Sequence, residues 1–183
     1  MAIEERLLTT FRYVELSVKN RQTFSYEFAS ILRDCGSTFE SSLKPILENS
    51  HVSPNRFGYY EIAHYRSFLR ETINKQRTNP VPNTARTNFT IDKIVTTSFQ
   101  FGNIKHFLPF TEWVDERGTL AWWEAYNQVK HNDFEGRELG NLENALNAFA
   151  SLMVCFQMLD GRGGGFIGQI GGFTEEDIAP FFY

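Results

Sequence analysis

The run WWEAYNQVKHN, Trp122 to Asn132, holds the densest set of chemically capable side chains in the chain. On a helix, Glu124, Asn127 and His131 fall three and four residues apart and so share a face, with Lys130 one step round and near Tyr126 and Trp123. An imidazole can give and take a proton near neutral pH, and an amide one turn earlier can orient it or hold a substrate oxygen. The Lys130 ammonium would offset the charge that builds on a phosphodiester in its transition state. Together these groups make a kit for metal-independent RNA cleavage, in which a 2'-hydroxyl attacks the adjacent phosphorus. The plainer reading is that His131 and Asn132 simply close a helix, since a histidine suits the last carbonyls and an asparagine the left-handed turn. Trp122 and Trp123 point different ways from one helix and both need cover, which marks them as core or interface anchors.

The segment YNQVKH resembles the signature of the HEPN superfamily, all-helical domains that carry an arginine, commonly followed by a polar residue, and a histidine separated from the arginine by four to six intervening residues. Asn127 matches the polar position and His131 the histidine, while Tyr126 stands where the family has its arginine. In active members the arginine and histidine work together, and a tyrosine supplies no permanent positive charge. Asp133 occupies the place where the toxins of HEPN and nucleotidyltransferase pairs carry a tyrosine. The resemblance spans about Arg21 to Leu159 with a large interruption, and it implies a homodimer in which two motifs face one cleft. It implies RNA or a nucleotide as partner, with His131, Asn127 and Lys130 as the catalytic candidates and Tyr126, Glu124 and Arg137 lining the substrate side. With Tyr126 in the arginine position, the expectation is a domain without catalysis of its own, and a ribonuclease using His131 is the alternative. In that alternative Lys130, Arg117 or Arg137 replaces the lost arginine.

A second constellation is EIAH, Glu61 to His64, half of the carboxylate and histidine pattern of a di-metal helical bundle. Such a site needs a second copy and two further glutamates, and no second copy is present, so the expectation is no metal and no cofactor, with His64 pairing locally with Glu61. The metal-binding bundle is kept as a further alternative. Neither cysteine has a histidine near it in sequence; Cys35 and Cys155 lie within apolar helical patterns and read as small core residues.

These side chains must be positioned by helices. Leu7, Phe11, Val14 and Val18 fall at helical intervals, although RYVELSV also alternates like a strand. Phe24, Phe28, Ile31, Leu32, Cys35, Phe39, Leu43 and Ile46 predict a long amphipathic helix, kinked or ended at Pro45. YYEIAHYRSFLRETI has helical spacing, and Thr119 is placed to cap LAWWEAYNQVKH. Leu139, Leu142, Leu146, Phe149, Met153 and Phe156 predict the last helix; Asn144, Asn147 and Ser151 give it a narrow polar face, and it is apolar nearly all round from Ala148, as befits a bundle centre. Between these helices, residues 74–117 read as an irregular excursion with room for a short strand pair near IVTTSFQF and a packed turn around Pro109. The segment from 160 to 183 holds seven of the thirteen glycines and cannot continue a helix. Its glycines lack the preceding strand that a phosphate loop requires. The predicted architecture is all-α, a single domain over residues 1–183 built as a four- to five-helix bundle.

Bulk properties narrow the partners. A net charge of -4 argues against a broad DNA-binding surface or an anionic membrane, both of which draw on clustered Lys and Arg. No run approaches eighteen apolar residues and the first twenty positions lack an apolar block, so no membrane partner and a cytoplasmic location are expected. Aromatic residues make up 15% of the chain, which suits a thick core or an association surface equally.

Overall fold

The structure, a computed structural model, describes residues 2–49, 52–67, 99–101, 104–107, 109–114, 118–131 and 136–160. Among these residues are five helices: α1 (Ala2–Thr10), α2 (Tyr26–Asn49), α3 at 62–67, α4 (Ala121–His131) and α5 (Leu142–Asp160). The fold is an all-α bundle. Phe68 and Leu69, the glycine-rich segment and most of the 74–117 excursion lie outside the described residues.

Helix α2 is the spine. Phe28, Ile31, Leu32, Cys35, Phe39, Leu43 and Leu47 recur at helical steps and are buried, so one face of the helix is continuous core. It begins later than the apolar pattern does, because the Ser25 hydroxyl accepts a hydrogen bond from the Phe28 amide at 3.0 Å and caps the first turn. Phe24 is thereby left outside the helix and bridges Asn141 instead. Nor does Pro45 end it: α2 runs on to Asn49, with Leu43 and Leu47 anchored in the core on either side of the missing backbone donor.

Helix α1 lies on the outer side of α2. It stops at Thr10, short of Phe11, so the periodicity through Val14 and Val18 is carried by turns, and Val18 is exposed. Arg6 ties it down, donating to Glu27 at 2.8 Å, to Ser30 at 2.8 Å and to Asp34, residues three and four apart along α2.

Helix α5 packs along α2 and on α4. It starts at Leu142 and not at Leu139, because Asn141 caps it: its Oδ1 accepts from the Asn144 amide at 2.9 Å, while Arg137–Leu139 form a separate 3-10 turn. The ends of α2 and α5 are laced together where the Leu142 amide donates to Thr23 O and the Glu143 amide to Arg21 O. Gly140 is required at this joint, since a Cβ there would come within 2.5 Å of the Ala29 Cβ and 2.9 Å of its Cα. The polar face of α5 turns inward and binds backbone: Asn147 donates to Glu143 O at 3.0 Å and buried Ser151 to Asn147 O at 2.8 Å.

Within the excursion, Phe99–Phe101 pairs antiparallel with Ile104–Phe107, with Phe99 opposite Phe107. The chain then rejoins the bundle: Phe110 and Trp113 are buried against each other, ring centroids 4.7 Å apart, and the indole of Trp122 donates to Pro109 O at 3.0 Å. No helix among the described residues is long and apolar enough to cross a membrane.

Candidate functional site

Helix α4 divides into a core face and a polar face. Trp122, Trp123, Ala125, Tyr126 and Val129 are buried, while Glu124, Gln128, Lys130 and His131 are exposed and Asn127 lies between. Both tryptophans are core anchors, 2% and 6% exposed, with rings perpendicular at 5.6 Å. Around them gather Phe39 of α2, Tyr65 of α3 and Tyr126, each ring within about one ring-width of the next. The WWEAYNQVKHN run is therefore both core and surface, split by helical phase.

Tyr126 sits at the boundary. Its ring lies against Gly36 so closely that a Cβ on Gly36 would fall 2.4 Å from Cδ2 and 2.5 Å from Cγ. Its hydroxyl donates to Glu40 Oε2 at 2.8 Å, one turn further along α2. Lys130 reaches the same oxygen: Cα–Cβ bonds on a helix tilt towards its N-terminus, so the Lys130 side chain folds back over the Tyr126 ring at 5.1 Å and donates to Glu40 Oε2 at 3.1 Å. Burial raises the Tyr126 hydroxyl above its usual range, the Lys130 bond works against that and the Glu40 carboxylate adds to it. For Lys130 burial acts downward, but the bonds to Tyr126 and Glu40 outweigh it and the ammonium is held above its ordinary value. Tyr65, buried nearby, is pushed up by burial and then by the field of Glu40.

The fold places the expected site residues differently from one another. His131 is the last residue of α4 and is exposed, with half-buried Asn127 one turn before it on the same side. Glu124, exposed, accepts from the Thr119 hydroxyl at 2.6 Å. The helix begins at Ala121, so Thr119 stands one residue before the cap position, and the first backbone turn closes on Leu120, whose carbonyl accepts from the Glu124 amide at 3.0 Å. Lys130 and Tyr126 are brought together, but on Glu40. Arg137 is elsewhere: its guanidinium carbon lies 4.7 Å from the Tyr26 ring centroid and 5.8 Å from that of Phe24, at the start of α2. Arg117 and Asp133 lie outside the described residues.

Glu40 and Gly36 were not singled out from sequence. One signal was there: Gly36 is the only glycine of the 24-residue α2, and a lone glycine inside a strong helix marks close approach of a neighbour. Glu40 then follows as the polar position one turn on, beside Phe39.

At the second constellation, His64 Nδ1 accepts from the Glu61 amide at 2.9 Å, which is a cap on α3 made by an imidazole in the place of the usual carboxylate. Glu61 itself accepts from Asn55 Nδ2 at 2.6 Å. Among the described residues no three histidines, cysteines, aspartates or glutamates gather closely enough to hold a metal ion. Cys35 and Cys155 are buried and unpaired by any disulfide, and burial pushes both thiols up, away from the reactive thiolate.

No protein-family model, curated protein or solved structure matches the chain.

Proposed function

We propose that the chain is a HEPN-like helical domain that binds without cutting, working in the cytoplasm as a homodimer that holds RNA or a nucleotide beside Asn127 and His131. The observation that carries this reading is the Tyr126–Glu40–Lys130 cluster. Position 126, where the resemblance calls for a free guanidinium, is filled by a buried phenol whose hydroxyl is spent on Glu40. The nearest other cation, Lys130, has its charge balanced by the same carboxylate. His131 can shuttle a proton, but among the described residues the cation next to it, Lys130, is paired with Glu40 and so offsets less of the charge of a pentacoordinate phosphorus. Exposure of His131 with Asn127 one turn away leaves both able to meet a ligand.

Two measurements test this. Purified protein incubated with mixed RNA in chelator is expected to yield no cyclic-phosphate ends; such products, if lost on His131→Ala, would establish the ribonuclease in place of the binding domain. Sedimentation is expected to give twice the 21.2 kDa chain mass, and a monomer at tens of micromolar protein refutes the dimer.

A further inference from the structure

Phe24, Tyr26 and Arg137 form a surface cluster that neither the core nor the Glu40 cluster uses. The Tyr26 ring is 68% exposed and Phe24 43%, and the Arg137 guanidinium lies over both. Arg6, Arg21 and Lys130 all reach carboxylates, whereas Arg137 makes no ion pair among the described residues. Of the described acidic side chains nearby, Glu27 is bonded to Arg6 and Glu143 to Arg21 and Gln22, while Glu138, next in the chain, is exposed and forms no ion pair with Arg137. A guanidinium that lies over ring faces keeps its N–H edge for a planar or tetrahedral anion. Beside it an exposed phenol ring offers a flat apolar surface.

An anion at the guanidinium edge and a flat ring at the tyrosine is the chemistry of a nucleoside phosphate. Base stacking on an aromatic face tolerates any base, and an arginine takes the phosphate. We infer that Phe24, Tyr26 and Arg137 bind a nucleoside phosphate unit, its base stacked on Tyr26 and its phosphate on Arg137. The inference shares its ligand class and Arg137 with the helical-family reading, but it is carried by the placement of Arg137 over Tyr26 and Phe24. Helix α4 also brings the two regions towards one end of the bundle. Trp122 and Trp123 lie against Phe39, and Tyr126 against Gly36, so α4 runs antiparallel to α2 and His131 ends towards Tyr26.

The test uses the full chain with two probes, adenosine monophosphate and a short oligoadenylate, by calorimetry and fluorescence anisotropy. Tyr26→Ala and Arg137→Gln alter exposed side chains and are expected to keep the thermal midpoint, and each is expected to weaken binding about tenfold. Tyr26→Phe should bind like the parent, since the ring and not the hydroxyl does the stacking. Binding lost on His131→Ala but kept in both Tyr26→Ala and Arg137→Gln would place the ligand at the site proposed above and overturn this inference. Binding of the oligomer alone assigns the site to a strand, and binding of both probes to a free nucleotide unit. Binding of neither, or binding that survives both Tyr26→Ala and Arg137→Gln, overturns the inference.

Discussion

Replacing Gly36 by alanine tests the placement of Tyr126 directly. In an ordinary helix interior, alanine stabilises relative to glycine by about 1 kcal/mol, because it restricts the unfolded chain. Here the added methyl would meet Cδ2, Cγ and Cε2 of Tyr126 at 2.4, 2.5 and 2.7 Å, all atoms of a rigid ring held from behind by Trp123 at 5.3 Å. The ring cannot yield without leaving Glu40, 2.8 Å from its hydroxyl. Overpacking of this kind costs about 1–3 kcal/mol and loss of a hydrogen bond to a carboxylate about 1.5–3 kcal/mol. Glu40 is partly exposed and keeps Lys130, so the lower end of the second range applies. Set against the propensity gain, Gly36→Ala is expected to destabilise by about 2 kcal/mol, a fall of about 4–8 °C in melting temperature for a chain of this size. Urea unfolding of the four corners of a cycle with Tyr126→Ala supplies the decisive comparison. With the ring gone, the same glycine-to-alanine change should reverse sign and stabilise by about 1 kcal/mol. A Gly36→Ala protein more stable than its parent, or a change of equal size in both backgrounds, refutes the contact.

Gly140→Ala should also destabilise, by about 1–3 kcal/mol, since its Cβ would press on the Ala29 backbone, which cannot rotate away; an unchanged urea midpoint contradicts the joint between α5 and α2. Tyr126→Phe removes one bond to a half-exposed carboxylate and should cost about 1 kcal/mol, and a cycle with Lys130→Met should show coupling because both groups share Glu40 Oε2. His131→Ala, at an exposed helix end, should change stability by less than about 0.5 kcal/mol, and a larger loss would mean the ring is packed. Stability should be flat through neutral pH and fall as pH rises past the unfolded thiol value near 8.5, because burial raises Cys35 and Cys155 in the fold while the unfolded chain ionises freely. The slope can reach about 1.4 kcal/mol per pH unit for each thiol, Cys155→Ala should reduce it, and a midpoint constant to pH 10 argues against the buried thiols.

What the sequence made legible was the part governed by period. The stripe from Phe28 to Leu43, the apolar α5 and the two-sided α4 follow from spacing alone, because burial selects for one helix face and the selection leaves a regular trace. Starts and ends were set by side chains that compete for backbone groups. Ser25 and Asn141 took the caps that placed Phe24 and Leu139 outside their helices, while Thr119, a good cap by type, lies one residue before the cap position of a helix that begins at Ala121. Pro45, expected to kink or end α2, does not end it, since the local penalty of a proline is smaller than what the core residues around it gain by staying helical. The lone Gly36 marked a close approach on α2, but that the approaching group is Tyr126, 86 residues from Glu40, was not legible, since only the fold brings the two together.

That distance is also why the residue types of a motif say less than their pairing. Read along α4 alone, Lys130 is a spare cation one residue from His131 and Tyr126 a polar aromatic beside them. On α2, one carboxylate answers both. Glu40 carries a single negative charge, Lys130 a single positive one and Tyr126 none, so the cluster is neutral and each group is already satisfied. An arginine at 126 would leave the same carboxylate facing two cations, with one positive charge in excess a turn from the imidazole, as phosphoryl chemistry requires. The tyrosine removes that excess, and the missing Cβ at Gly36 lets its ring close on α2. On the proposed HEPN-like reading, this neutral pairing on Glu40 is the reason to expect no cleavage beside His131.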